Sequence, residues 1–300
     1  ALTNNYSHHT TRGEAVLTNS TDNLETSNSG LKDDYILEYS MSRAEWMSMI
    51  VPNIKGGGDQ LYWGEQRFSG GAFYFGAIAF ALMLAFFFVG RDPLRFPLML
   101  ISILAIILSW RDASALSDFF LNHVPLFNKF RDTKMMLVIV QVAVAAGGAL
   151  ALKEIWEDAA NGKWKPWVFS LLGISLVLFI FYFSPTTFFD FTSSIRSDQA
   201  LIQLGKNSVT QLRIDIFKSD VLRSLSLIAI CAAAVYMILK GILDKRIIIS
   251  VLAVIMISEL ALVDKRYSVN WVDSFEALYP FEPNSSDLAI LEFESKDLQG

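Results

Sequence analysis

The sequence predicts a mainly α-helical, polytopic transmembrane bundle, and three observations carry that prediction. Six apolar stretches lie between Gly71 and Val263, most of them close to the roughly 20 residues that a 30 Å hydrocarbon core requires at 1.5 Å per residue. Of the 300 residues 53% are hydrophobic and only 18% charged, well below the charged share of an ordinary soluble domain, about a quarter. The charges also gather in the flanks and links, as they must where lipid satisfies neither a stray backbone group nor a charge.

Residues 1–70 are rich in Asn, Ser, Thr and Gly, contain no spanning run, and read as an extracytoplasmic segment. The first span, about Gly71 to Gly90, ends at Arg91-Asp92-Pro93-Leu94-Arg95. The second, Phe96 to Trp110, is short, so it thins the bilayer or stands nearly upright, with Trp110 at an interface. Loop 111–134 alternates Leu116, Phe119, Phe120, Val124, Leu126, Phe127 and Phe130 with polar residues, which predicts an interfacial helix broken at Pro125. The third span, Met135 to Leu152, carries Ala143, Ala145, Gly147, Gly148 and Ala151, small residues that let neighbouring helices approach.

Tryptophans at 156, 164 and 167 mark a headgroup boundary before the fourth span, about Trp167 to Phe183. Loop 184–223 is the longest internal link, and its 198–217 part has a partly helical apolar spacing suited to the membrane surface. The fifth and sixth spans, about Ser224–Leu239 and Ile247–Val263, are joined by seven residues and form an antiparallel hairpin. Residues 264–300 read as the start of an extracytoplasmic C-terminal domain. The chain starts at Ala1 inside a polar segment and stops in a soluble-looking run, so it reads as an internal piece of a longer protein.

Six spans place both ends on one side. Links 91–95, 153–166 and 240–246 hold eight Lys or Arg in 26 residues, against nine in 64 for loops 111–134 and 184–223. The denser set is cytoplasmic by the positive-inside tendency, which leaves the long loops and both termini outside. A net charge of −5 argues against a nucleic-acid partner, which wants a basic face. Cys231, the single cysteine, lies in an apolar stretch and reads as a small core residue. His8-His9 has no partner at ligand spacing, the Asp33-Asp34 pair is too weak to hold a metal, and Gly56-Gly57-Gly58 lacks the Lys-Ser/Thr of a phosphate loop. No cofactor is evident, and no motif indicates a divalent cation.

Several outward strings, in order, carry a resemblance: YSHHTTRGEAVLT (Tyr6–Thr18), SGLKDDY (Ser29–Tyr35), the run from Glu38 to Gly58, YWGEQRFSGGAFYFGA (Tyr62–Ala77), VPLFNKFRDTKMMLVI (Val124–Ile139) and VDKRYSVN (Val263–Asn270). Together they resemble the YfhO-like bacterial membrane proteins, especially the Bacteroidetes type, over nearly the whole chain. That family is similar to the polytopic glycosyltransferases of the GT-C class, which pass a sugar from a polyprenyl-phosphate carrier to an acceptor outside the cytoplasmic membrane. The resemblance implies a multi-pass protein of the bacterial inner membrane, with a lipid-linked sugar donor and a cell-envelope acceptor as partners beside the membrane lipids. It also implies a catalytic acidic motif near the parent's beginning, before Ala1. Two positions depart from the family: Tyr39-Ser40-Met41 stands where relatives commonly read tryptophan-serine-tyrosine, and Glu259 where they often carry Asp.

Such a reaction needs cations for a lipid-linked phosphate, a base for the acceptor hydroxyl, and an interface for the isoprenoid tail. Lys129 and Arg131 follow interfacial aromatics and suit the phosphate, Arg through bidentate geometry; the plainer reading is two snorkelling anchors. Arg12 is a further phosphate or sugar contact, with a salt bridge to Glu14 as its plainer role, as Glu45 is for Arg43. Lys265-Arg266 reads first as a membrane anchor. Glu45 and Glu65, the latter just before the first span, are carboxylates that would bind sugar hydroxyls, position a divalent cation or serve as base, with a solvated surface acid as the default for both. Glu259, near the outer end of a span, is a functional candidate by its membrane depth, and its bland alternative is a helix-end acid reaching water or Lys265. A transporter or flippase is the first rival function, and it predicts charged groups along a midplane path. A non-catalytic membrane scaffold is the second.

Overall fold

In a computed structural model of the chain, residues 36–57, 62–66, 73–111, 114–125, 127–129, 132–159, 162–193, 206–267 and 285–297 are described. It is mainly helical, and among these residues there are no strands beyond one bridge, Met41 to Trp110. The chain divides into two compact units, Ala1–Val263 and Asp264–Gly300.

The first unit is built from α1 (Ala77–Val89), α2 (Arg95–Leu108), α3 (Ala115–His123), α4 (Leu137–Asp158), α5 (Lys165–Phe183), α6 (Lys206–Lys240) and most of α7 (Lys245–Tyr267). Among the described residues, four helical segments are long and apolar enough to cross a membrane: Thr133–Asp158, Lys165–Phe183, Val209–Lys240 and Lys245–Tyr267. Two more, α1 and α2, are apolar but only 13 and 14 residues long, about 20 Å each. The second unit contributes the end of α7 and α8, Ser285–Asp297.

Apolar on every side, α1 lies at the centre, as a helix hydrophobic all round must. Ala77, Ile78, Phe80, Ala81, Leu82, Met83, Ala85 and Phe86 are all buried, and α4, α5 and α6 pack around it. Helix α4 approaches most closely at Gly147, where a Cβ would stand 2.8 Å from Met83 Cγ. Ala143, Gly148 and Ala151 share that buried face, while Ala145 points away. The outer helices keep large apolar side chains exposed, among them Leu100, Leu176 and Ile257, as a hydrocarbon surround permits.

Helix α6 differs from the sequence reading. The 206–223 stretch continues into the fifth apolar run as one 35-residue helix instead of lying apart on the surface. No Gly or Pro interrupts 206–240, and two polar side chains of this helix are buried against protein partners: Arg213, 1% exposed, donates to Phe191 O, and Asp220, 3% exposed, accepts from Asn53 N–H. In the 111–134 loop, α3 ends two residues before Pro125, with Ser114 capping its start by accepting from the Ser117 N–H.

Stretches 36–57 and 62–66 cover the bundle end where α1 and α4 begin and α2 and α5 finish. Met41 N–H donates to Ser109 O and accepts at its own carbonyl from Arg111 N–H (3.1 and 2.7 Å). Ser40 shares a 2.6 Å hydroxyl bond with Thr133, Ser224 Oγ donates to Ile50 O at 2.7 Å, and Asn53 N–H donates to Asp220 at 3.2 Å. Trp63, Phe191, Phe217 and Phe189 then tie this segment to α6 through successive ring contacts of 4.9–5.6 Å.

At the opposite end Glu154, buried near the end of α4, accepts from the backbone N–H of Arg91 and Asp92 at 2.8–3.0 Å. Arg91 pairs with Asp158, whose other oxygen accepts from Trp167 Nε1. These contacts close the α1–α2 link, and the Arg91 charge offsets the carboxylates gathered on the carbonyl end of α4.

Gly76 fixes how α1 begins. Its φ of +96° is one that a side chain strains to adopt, and a Cβ there would lie 2.8 Å from Glu259 Oε1. Gly76→Ala is expected to cost about 1–3 kcal/mol, seen as a lower thermal midpoint in detergent; an unchanged midpoint would contradict the crowding.

Candidate functional site

The residues chosen from sequence do not converge on one point. Arg12 and Arg131 lie outside the described residues, as do His8-His9 and Asp33-Asp34. Lys129 closes a single 3-10 turn, Phe127–Lys129, with its side chain outside the described set. Glu65 is half-buried on the covering segment and its carbonyl accepts from Arg111 Nη1 at 2.9 Å. Glu259 is 2% exposed, on the face of α7 turned to the start of α1.

A polar network that the sequence reading does not assemble sits beneath the cover, centred on Glu45. This residue is not a solvated acid, being only 3% exposed. Glu45 Oε2 accepts from Ser42 N–H at 2.6 Å, while Oε1 accepts from the Tyr62 hydroxyl and from Gln66 Nε2 at 3.1 Å. The Tyr62 oxygen in turn accepts from Gln66 N–H. Gln66 Oε1 takes a 2.8 Å bond from Lys134 Nζ, which lies 3.7 Å from Asp132 and over the Phe73 ring. Arg43, the expected partner of Glu45, stands over Trp110 instead. With its oxygens engaged by the segment it belongs to, Glu45 organises the cover and offsets buried cations.

Lys55 extends the network toward the 185–192 turn, donating to Asp190 O at 3.0 Å. Burial pushes its ammonium below the ordinary lysine range, aided by Arg213 and opposed by Glu45, Asp190 and Glu65. Asp190 also lies below its ordinary range: burial works against this, but the Thr192 hydroxyl and N–H bonds and the Lys55 charge outweigh it. For Lys55 the folded state binds fewer protons than the unfolded one in the window below 10.5, so stability rises with pH there. The wild type is therefore expected to gain on Lys55→Met as pH climbs from the lowered folded value toward 10.5. Thermal midpoints across that range check this, and a constant gap between the two proteins would count against it.

Open space lies beside this network. A cavity of about 290 Å³ is lined by Val124, Pro125, Phe127, Asp132, Thr133, Met135 and Met136. Its walls are the turn after α3 and the start of the 133–158 helix, stretches that flank Lys129 and Arg131 in sequence. Asp132 and Thr133 supply its polar rim, with Asp132 capping the turn by accepting from Lys134 N–H at 3.0 Å.

Around Glu259 a second, smaller cluster joins three elements. Glu259 Oε1 meets the Ile78 N–H at 3.4 Å, at the open amino end of α1. Arg223 of α6 donates through Nη2 to the Glu259 carbonyl at 2.9 Å and lies over the Tyr74 ring. Tyr74 accepts from Ala77 N–H at 2.9 Å. Among the described residues no three His, Cys, Asp or Glu gather as a metal site. Compared with protein-family models, curated proteins and solved structures, the chain matches none.

Proposed function

We propose that this chain is the membrane part of a lipid-linked-sugar glycosyltransferase of the YfhO-like kind, acting on the outer side of a bacterial cytoplasmic membrane. The observation that carries the reading is the cavity between Val124 and Met136. It offers apolar walls for the first isoprene units of a polyprenyl carrier, and the same short string holds Lys129 and Arg131. In this reading α1 and α2 count as two further spans beside the four longer helices, and both ends face outward.

Lys129 and Arg131 hold the carrier phosphate, Arg131 in bidentate fashion. The acceptor hydroxyl oxygen attacks the anomeric carbon as the bond from that carbon to the phosphate oxygen breaks. The electron pair leaves with the lipid phosphate, and the hydroxyl proton passes to a base. Arg12, Glu65 and Glu259 remain contacts for phosphate or sugar in this proposal.

Transport is less well supported. Among the described residues, the buried charged side chains keep to the two ends of the bundle: Glu154 and Asp158 at one, and Glu45, Lys134, Arg213, Asp220 and Glu259 toward the other. A midplane path would want them between.

Arg131→Gln in the full-length protein is expected to lower transfer from a polyprenyl-phosphate sugar about 10- to 100-fold, the loss of a charge-assisted bidentate contact. Undiminished transfer would remove the phosphate site.

A further inference from the structure

A larger cavity lies away from that string, between α1 and α5, and measures about 630 Å³. Phe80, Leu84 and Phe88 of α1 form one wall, Phe169, Gly173 and Val177 of α5 the other, and Trp46, Met47 and Ile50 stop it at the covered end. At its other end it reaches Val89 and Pro166. Nothing lies within 4 Å of where a Cβ of Gly173 would stand, so the groove is open at mid-length.

Its dimensions and its mouth say what chemistry fits it. The length along α5, from Pro166 to Val177, is about 17 Å at 1.5 Å per residue, close to the ~15 Å of a single leaflet. That matches one acyl chain, whereas a long isoprenoid would overrun it. Exposed Lys163 and Lys165 precede Pro166 at the mouth, while Arg91 nearby already serves Asp158. Trp164 stands between the two lysines in sequence, and tryptophan is enriched at membrane boundaries.

A further observation is Ser170, on the groove wall one to two turns below Lys165. Serines in apolar helices satisfy their hydroxyl by donating to the carbonyl four residues back, and Ser102, Ser175 and Ser226 do so here at 2.7–3.0 Å. Ser170 Oγ is buried without any such partner. It sits about 7.5 Å along the axis from Lys165, an offset that suits a lipid phosphate at the lysine and an ester carbonyl deeper in the groove.

We propose that the α1–α5 groove is a binding site for one anionic phospholipid, its acyl chain between Leu84 of α1 and Gly173 of α5, its ester carbonyl at Ser170 and its phosphate at Lys163 and Lys165. Anionic headgroups are favoured at such a mouth by roughly 1 kcal/mol per nearby Lys, which makes charge selectivity the first readout.

The test is native mass spectrometry of the full chain, released from nanodiscs holding equal phosphatidylglycerol and phosphatidylcholine. One phosphatidylglycerol is expected to be retained, by about 5-fold or more over phosphatidylcholine from the lysine contribution above. Lys163→Gln with Lys165→Gln should bring the two lipids level, Ser170→Ala should weaken retention a few-fold, and Gly173→Phe should abolish it. Leu172→Phe, on the exposed face of α5, controls for folding and should change nothing. Equal retention of both lipids by the wild type overturns the proposal without any variant. So does selectivity that survives the double lysine change, or displacement of the phospholipid by stoichiometric polyprenyl phosphate. Because the Arg131→Gln assay reads sugar transfer and not phospholipid retention, either proposal can fail alone.

Discussion

Glu45→Ala is expected to loosen stretches 36–57 and 62–66 from the bundle and to cost about 3–5 kcal/mol, the range for removing one partner from a buried charged network. The carboxylate takes three hydrogen bonds, from Ser42 N–H, Tyr62 and Gln66, and all three donors would be left buried. Lys55, and Lys134 through Gln66, would also lose the negative charge they face. Glu45→Gln separates the two effects, since it keeps an acceptor and removes the charge, and it should fall between wild type and Ala. Limited proteolysis within 36–66 and thermal unfolding in detergent read the outcome. A Glu45→Ala protein as protease-resistant as wild type would show that the cover is held by its apolar contacts alone.

The apolar helices are legible in the sequence because their signal is local. A run such as Lys165–Phe183 declares itself by length and composition, and the close approach at Gly147 follows from small residues on one face. The polar network is not legible, because its members lie far apart in sequence: Glu45, Gln66 and Lys134 meet only once α1, α4 and the cover are packed. Glu45 resembles a surface acid in sequence for the same reason that Lys134 resembles the end of a loop. Helix α6 reads as two pieces because the polar residues of its first turns suggest water, and the packing that buries Arg213 and Asp220 is tertiary. Glu259 stands out by its place in an apolar run, yet its partners, Ile78 and Arg223, are found only in space.

That cluster yields the second large effect. Helix α7 is the least buried of the four long described helices, with 22% of its most apolar stretch buried against 44% for α6, so few apolar contacts hold it. A polar contact between helices gains relative weight there, since lipid offers no substitute partner. Glu259→Ala removes the acceptor at the amino end of α1 and leaves the Ile78 N–H unmet; Arg223→Ala removes the bond to the Glu259 carbonyl. Each is expected to destabilise by about 1–3 kcal/mol. A double-mutant cycle should return a coupling of about 0.5–3 kcal/mol, because both residues meet at one point between α1, α6 and α7. Glu259→Gln, which keeps an oxygen for Ile78, should recover most of the single loss. Denaturation in mixed micelles measures all four corners. Strict additivity would mean that Glu259 and Arg223 act separately, and α7 would then owe its position to Ile248, Leu252 and Val263, its buried apolar residues.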